Sequence, residues 1–335
     1  MVGSTEHSET KPGLIELSVI VPVFNEAENL RPLLSRLVPI LETCSKSHEI
    51  VFVDDGSHDE TLDVLHEMRD VEPIIAIVSL SRNFGKEIAI AAGLDHARGD
   101  ACVIIDADLQ HPPELIGTFV EYWRQGYKNV YGQRIDRTVD SPMRRLLTRR
   151  FYKLFARFGE TQLPEGAGDF RLLDAQAVRA LRQMREHARF SKGLYAWIGF
   201  KSIGVPFHVE ERAFGVSKFS YRKLTRFALD GLMSFSTLPL QVWIYLGTLI
   251  SLMALGTAVY FVAETLIMGV RVPGYASLIV SITFFAGVQL LSLGILGEYI
   301  GRIFTEVKKR PLYLVQEVSG FRSPAADSVP KKESP

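Results

Sequence analysis

Cys102-Val103-Ile104-Ile105-Asp106-Ala107-Asp108-Leu109-Gln110 is a short apolar, β-branched run that stops on two carboxylates one residue apart. Such a run reads as a buried strand, Cys102 to Ile105, with an acidic crest at its carboxyl end. Asp106 and Asp108 placed there can hold a hard divalent cation, magnesium or manganese, which bridges and neutralises phosphate oxygens. Turns and helix caps also produce Asp-x-Asp, so its meaning depends on what surrounds it.

Upstream, from Leu17 onward, apolar runs alternate with helical patterns; the strand candidates are Ser18 to Val23, Ile50 to Val53 and Ile74 to Ser79, with Val130 to Gln133 following downstream. This alternation predicts an α/β domain with a mixed, mostly parallel sheet and helices on both faces. Ser57 followed by Glu60 makes a capping box, predicting a helix that starts just after Asp54-Asp55-Gly56-Ser57. Four polar clusters then close four successive strands: Pro22 to Glu26 with Asn25, Asp54 to Ser57, Ser81-Arg82-Asn83-Phe84-Gly85-Lys86, and Asp106 to Glu114. Ligands of open α/β sheets bind in the crevice at those ends. The first strand runs into Val23-Phe24-Asn25-Glu26 and not into Gly-x-Gly-x-x-Gly, which argues against a dinucleotide-dependent oxidoreductase.

Further downstream the chain changes in kind. No charged residue lies between Asp230 and Glu264 or between Arg271 and Glu298, giving uncharged runs of 33 and 26 residues. About 20 helical residues cross a hydrocarbon layer, so two spans are expected at about 240–263 and 275–296. Arg222, Lys223 and Arg226 precede the first, and Arg302, Lys308, Lys309 and Arg310 follow the second, whereas the connection carries Arg271 alone. The positive-inside rule then predicts a multi-pass hairpin in an inner membrane with the α/β domain and both termini cytosolic. The expected order is a disordered 1–15, a catalytic 16–212, an acceptor loop and juxtamembrane helix 213–238, the spans within 239–298, a cytosolic 299–322 and a disordered 323–335. The first fifteen residues carry no basic-then-apolar signal pattern. Cys44 and Cys102 read as inert thiols of a reducing compartment. A net charge of zero gives no field for nucleic acid.

With these clusters in place the sequence resembles the family 2 glycosyltransferases of the GT-A fold, from Leu17 almost to Gln316. The resemblance implies a nucleotide-sugar donor, with Pro22, Glu26 and Asp55 against its base and ribose. Asp106, Asp108 and Gln110 would surround the metal and diphosphate, and Asn25, Asp54, Arg82, Asn83, Lys86 and Ala107 complete the donor crevice. Gly168-Asp169-Phe170-Arg171-Leu172, Ser191-Lys192-Gly193 with Trp197, Ser234-Phe235-Ser236-Thr237, Gly297-Glu298-Tyr299-Ile300-Gly301-Arg302 and Lys309-Arg310-Pro311 look like the bactoprenol glucosyltransferases. They imply UDP-glucose as donor, polyprenyl phosphate as acceptor, the lipid bilayer as partner and a homo-oligomer such as a tetramer. Relatives that transfer mannose, aminoarabinose or N-acetylhexosamine share much of the pattern, so the sugar is less constrained than the acceptor.

An acceptor phosphate needs local cations. Arg134 to Arg157 holds eight Lys or Arg against two Asp, and Leu147, Phe151, Leu154 and Phe158 make a stripe beside Arg149, Lys153 and Arg157. That pattern fits either a helix at an anionic interface or a solvated face over a core. Arg134 and Arg137 from this segment, and Arg212 and Lys218 from Arg212 to Ser220, are the acceptor-phosphate candidates. The expected reaction is direct, inverting displacement with Asp108 and the metal at the leaving diphosphate. Asp169 either touches substrate, as the family implies, or fixes the Arg171 segment by an ion pair. His111 reads as a spectator.

Overall fold

The computed structural model describes residues 15–135, 166–187, 189–208, 238–268 and 274–321. The predicted Leu147–Phe158 stripe, Arg137, Arg212, Lys218, residues 1–14 and the tail from 322 lie outside them. Among the described residues eight strands form one sheet in the order β7-β5-β6-β4-β1-β2-β3-β8. β1 (Leu17–Val23), β2 (His48–Asp54), β3 (Ile75–Leu80) and β4 (Ala101–Ile104) form its parallel centre. β1 is buried along its whole length, as expected of a strand covered on both faces. One side is packed by α1 (Ala27–Cys44), α2 (Thr61–Val71) and α4 (Leu115–Arg124), the other by α3 (Lys86–His96), α5 (Ala175–Gln183) and α6 (Ser191–Trp197). On α1 the repeat Leu30, Leu33, Leu37, Leu41 faces the sheet and is fully buried, each side chain contributing roughly 1.5–3 kcal/mol.

β5 (Asn129–Arg134) and β6 (Ala167–Asp174) add a mixed wing: β6 runs antiparallel to both β4 and β5, and β7 (Ser202–Phe207) pairs parallel to β5. The helix predicted from Ser57–Glu60 starts later, at Thr61, and no capping box forms. The Thr61 N–H donates to Asp59 Oδ1 at 3.1 Å, and Ser57 Oγ accepts instead from the Asn25 N–H at 3.0 Å. A cross-loop bond has taken the residue that the local pattern assigned to the helix end.

α7 (Leu238–Met268) and α8 (Tyr275–Val307) occupy both apolar runs and extend past the expected spans. Within α8, Phe284–Val307 is long and apolar enough to cross a membrane, and none of the residues in its most apolar window is fully buried. Leu290 is 70% and Leu291 60% exposed, which excludes a soluble-core role for this face. Within Phe284–Val307, Glu298 and Arg302 pair with each other at 3.1 Å.

After α8 the chain returns to the sheet. β8 (Val315–Ser319) pairs antiparallel with β3, and the Ser81 N–H donates to the Leu314 carbonyl at 2.9 Å. Glu306 near the end of α8 accepts from the His187 N–H at 2.8 Å, and the Tyr313 hydroxyl donates to Asp95 at 2.7 Å.

Candidate active site

The crevice begins at a proline. The Ile20 carbonyl accepts from the Ile105 N–H, so residue 20 faces β4. By the two-residue repeat of a strand Pro22 faces β4 as well. The β1–β4 ladder has its last rung at Ile20↔Ile104. Pro22 has no N–H with which to extend it. The chain therefore leaves β4 and turns through Asp106–His111, while β1 continues against β2 as far as Val23↔Asp54. On the other side β6 carries on. The register Ile104↔Arg171, continued by two residues, sets Asp169 opposite Asp106.

Lys86, the first residue of α3, closes that gap. Its Nζ lies 2.7 and 2.8 Å from the two oxygens of Asp106 and 3.0 Å from Asp169 Oδ2. Burial works against the Lys86 charge, but Asp106 and then Asp169 hold the ammonium well above the ordinary lysine range. Burial alone would raise the Asp169 carboxyl; Lys86 first, then Lys192 and Arg171, keep it well below the usual carboxylate range. Behind it Glu87 is pushed up, by burial and then by the Asp169 charge. The ion pair of Asp169 thus runs to Lys86. Arg171 donates to the Gly168 carbonyl and to Asn129 Oδ1 and lies over the Tyr195 ring, 3.7 Å from its centroid.

Asp106, Asp108 and His111 offer ligand atoms within 4.8 Å of one another. Leu109 turns the loop with φ 59, a left-handed conformation costly for leucine, and the Gln110 N–H donates to Asp108 Oδ1 at 3.2 Å. The His111 ring stacks on Phe170 with centroids 5.1 Å apart. Its Nδ1, sealed from solvent and without a hydrogen-bond partner, stands 3.8 Å from Asp106 Oδ2. Two hard carboxylates and an orphaned imidazole nitrogen make a donor set that fits a divalent cation. His111, read from the sequence as a spectator, lies within this group. The two residues between Asp108 and His111, Leu109 and Gln110, make the turn that brings position 111 back to the carboxylates.

The remaining donor-side residues form a knot of loops. Asn25, with φ 53, accepts from the His58 N–H at 2.9 Å through Oδ1, and the Glu26 N–H donates to Thr61 Oγ1 at 3.0 Å. Asp54 is turned inward, accepting from the Ser57 N–H and the Ser79 hydroxyl, both at 3.0 Å. Asp55 receives the Phe84 and Gly85 N–H groups at 2.7 and 2.9 Å and so fixes the loop leading to Lys86. Its carboxyl is raised by burial, against those two amides. Gly56 has φ +69, and a Cβ there would lie 2.5 Å from the Arg82 carbonyl carbon, so the two loops touch backbone to backbone. Arg82 and Asn83 are exposed at the rim, Arg82 lying over Phe84 at 4.0 Å. Pro22 and Ala107 are buried in the crevice floor. Of the acceptor candidates, Arg134 is exposed at the end of β5.

Residues 18–182 match the sequence model of glycosyl transferase family 2. An SfII prophage-derived bactoprenol glucosyl transferase of Shigella flexneri is 41% identical over 303 residues, spanning 90% of this chain and 98% of the relative. An uncharacterized glycosyltransferase of Synechocystis is 49% identical over 307 residues, spanning 92% of this chain and 96% of the relative. Among solved structures, a mannosyltransferase of Pyrobaculum calidifontis in complex with GDP-Man and Mn2+ is similar with a TM-score of 0.45 and 18% identity, over 88% of each chain.

Proposed function

The chain belongs to glycosyl transferase family 2, and on that premise we propose that it moves glucose from UDP-glucose onto a polyprenyl phosphate at the cytosolic face of a membrane. One observation carries the reading. A chain whose crevice holds Asp106, Asp108, His111, Lys86 and Asp169 continues into an exposed apolar helix, which brings a nucleotide-sugar site to a lipid substrate. The relative's name, bactoprenol glucosyl transferase, supports both the lipid and the sugar. The α7–α8 pair forms the membrane anchor, with the basic flanks and the catalytic domain on the cytosolic side.

Asp106, Asp108 and His111 would hold the divalent cation, whose contribution when bound is to offset the charge gathering on the departing nucleoside diphosphate. Asp55 and Gly56 hold the loop that presents Lys86, so the ammonium reaches the same diphosphate as a point charge. A lipid monophosphate has its second pKa at about 6 and is largely a dianion at neutral pH, so its oxygen attacks without a strong base. Asp169 Oδ1, sealed and without a partner, is the acceptor for a hydroxyl of the transferring sugar. Arg134, Arg137, Arg212 and Lys218 are assigned to the acceptor phosphate. Rate then comes from placement and electrostatics, and a single displacement inverts the anomeric centre.

The test is a panel of radiolabelled nucleotide-sugars incubated with membranes containing the protein, followed by extraction of lipid. UDP-glucose should label a polyprenyl-phosphate band. Labelling from another donor would correct the sugar, and no labelled lipid from any donor would refute the reaction.

A further inference from the structure

We propose that Lys86 is the resident counter-ion of the cation site and that a divalent cation enters only together with the nucleoside diphosphate, which takes Lys86 away from Asp106. This rests on the reading of Asp106, Asp108 and His111 as the cation ligands. The Lys86 ammonium engages both oxygens of Asp106 and reaches Asp169 Oδ2. A cation binding at that carboxylate would share it with a positive charge in a partly desolvated crevice, where like charges repel far more than in water. Lys192 and Arg171 add further positive charge around Asp169. The negative charge of the ligand set is therefore largely answered before a metal arrives, and a bare ion has little left to gain.

A nucleoside diphosphate changes both sides of this balance. Its oxygens supply additional ligands for the cation and a new partner for the ammonium. The geometry allows the exchange: Lys86 keeps 42% of its side chain exposed on a flexible stem, while Asp106 and Asp169 keep only 22% and 14%. The carboxylates stay in place and the lysine moves. Metal and nucleotide then bind with positive coupling, and the coupling is reciprocal.

Mn2+ binding to the purified full-length protein, read from the paramagnetic resonance of the free ion with and without UDP, tests this without any turnover. Wild type should bind Mn2+ at least about tenfold more tightly when UDP is present, within the usual range of coupling. Lys86→Met should bind Mn2+ more tightly than wild type without UDP and show a smaller UDP effect, whereas Lys86→Arg should retain the wild-type coupling. Equal wild-type affinity with and without UDP overturns the proposal whether or not the variants fold. So does a Lys86→Met affinity that is unchanged or weaker without UDP. No Mn2+ binding even with UDP would overturn the cation site itself. Intact coupling in a protein that labels no lipid would sink the transfer reaction and leave this proposal standing.

Discussion

Replacing Gly56 by alanine strains the backbone contact between the two donor loops. Gly56 has φ +69, and the new Cβ would stand 2.5 Å from the carbonyl carbon of Arg82, 2.7 Å from its Cα and 2.8 Å from the Asn83 nitrogen. All three are backbone atoms, so no side chain can swing aside. The left-handed conformation costs alanine roughly 1–2 kcal/mol. Reaching ordinary contact moves the Arg82–Asn83 backbone by most of an ångström, which loosens the Phe84 and Gly85 amides from Asp55 and adds about 1–2 kcal/mol. A total of about 2–4 kcal/mol corresponds to a fall in melting temperature of roughly 4–16 °C. The same shift misplaces Lys86, and displacements of this size cost up to about a hundredfold in rate. The assay is thermal unfolding of the detergent-solubilised protein with UDP titration beside it. Gly126→Ala is the control, since that glycine also has positive φ, +92, but nothing lies within 4 Å of its added Cβ. If Gly56→Ala melts no lower than Gly126→Ala and binds UDP as well as wild type does, the loop contact does not set the donor site.

Asp169→Asn should abolish sugar transfer while the protein still binds UDP; retained turnover in the lipid-labelling assay would remove Asp169 from substrate contact. His111→Ala should weaken Mn2+ retention in the presence of UDP by at least about tenfold, and unchanged retention would leave the ring as packing for Phe170. Asp174 accepts from Trp123 Nε1 at 2.9 Å, Gln176 N at 2.9 Å and Lys128 Nζ at 3.1 Å, so Asp174→Asn should cost about 1–3 kcal/mol at neutral pH. Burial raises the Asp174 carboxyl, but those three partners outweigh it and leave it lowered. Its contribution is therefore complete above the unfolded value of about 3.9 and fades as pH falls toward the lowered folded value. Denaturation curves of the two proteins should converge in acid.

The parallel centre was legible because β1 to β4 are buried on both faces and read as unbroken apolar runs between turn residues. The site was legible in part for the same reason: each polar cluster follows a strand and must lie at the same edge. What escaped depended on partners distant in sequence. Ser57 and Glu60 satisfy the capping-box spacing, yet Ser57 bonds Asn25 across the crevice, a competition that local propensity does not contain. β8, Val-Gln-Glu-Val-Ser, has too little apolar character to announce a strand and exists through its pairing with β3. The Lys86–Asp106–Asp169 bridge likewise joins α3, the turn after β4 and β6, and only the antiparallel register of β6 brings its parts together.

The pairing of β8 with β3 also fixes an order of events during synthesis. The outer edge of β3 is complete at Leu80, but the strand that covers it ends at Ser319. At 5–20 residues per second the interval is roughly 12–48 s, during which both apolar helices leave the ribosome. Throughout it the nascent enzyme shows an open row of backbone donors and acceptors to its neighbours. A truncated chain that stops before α7 never covers that edge, so it should self-associate, and attempts to make the catalytic half alone should gain solubility when residues 312–321 are supplied in trans.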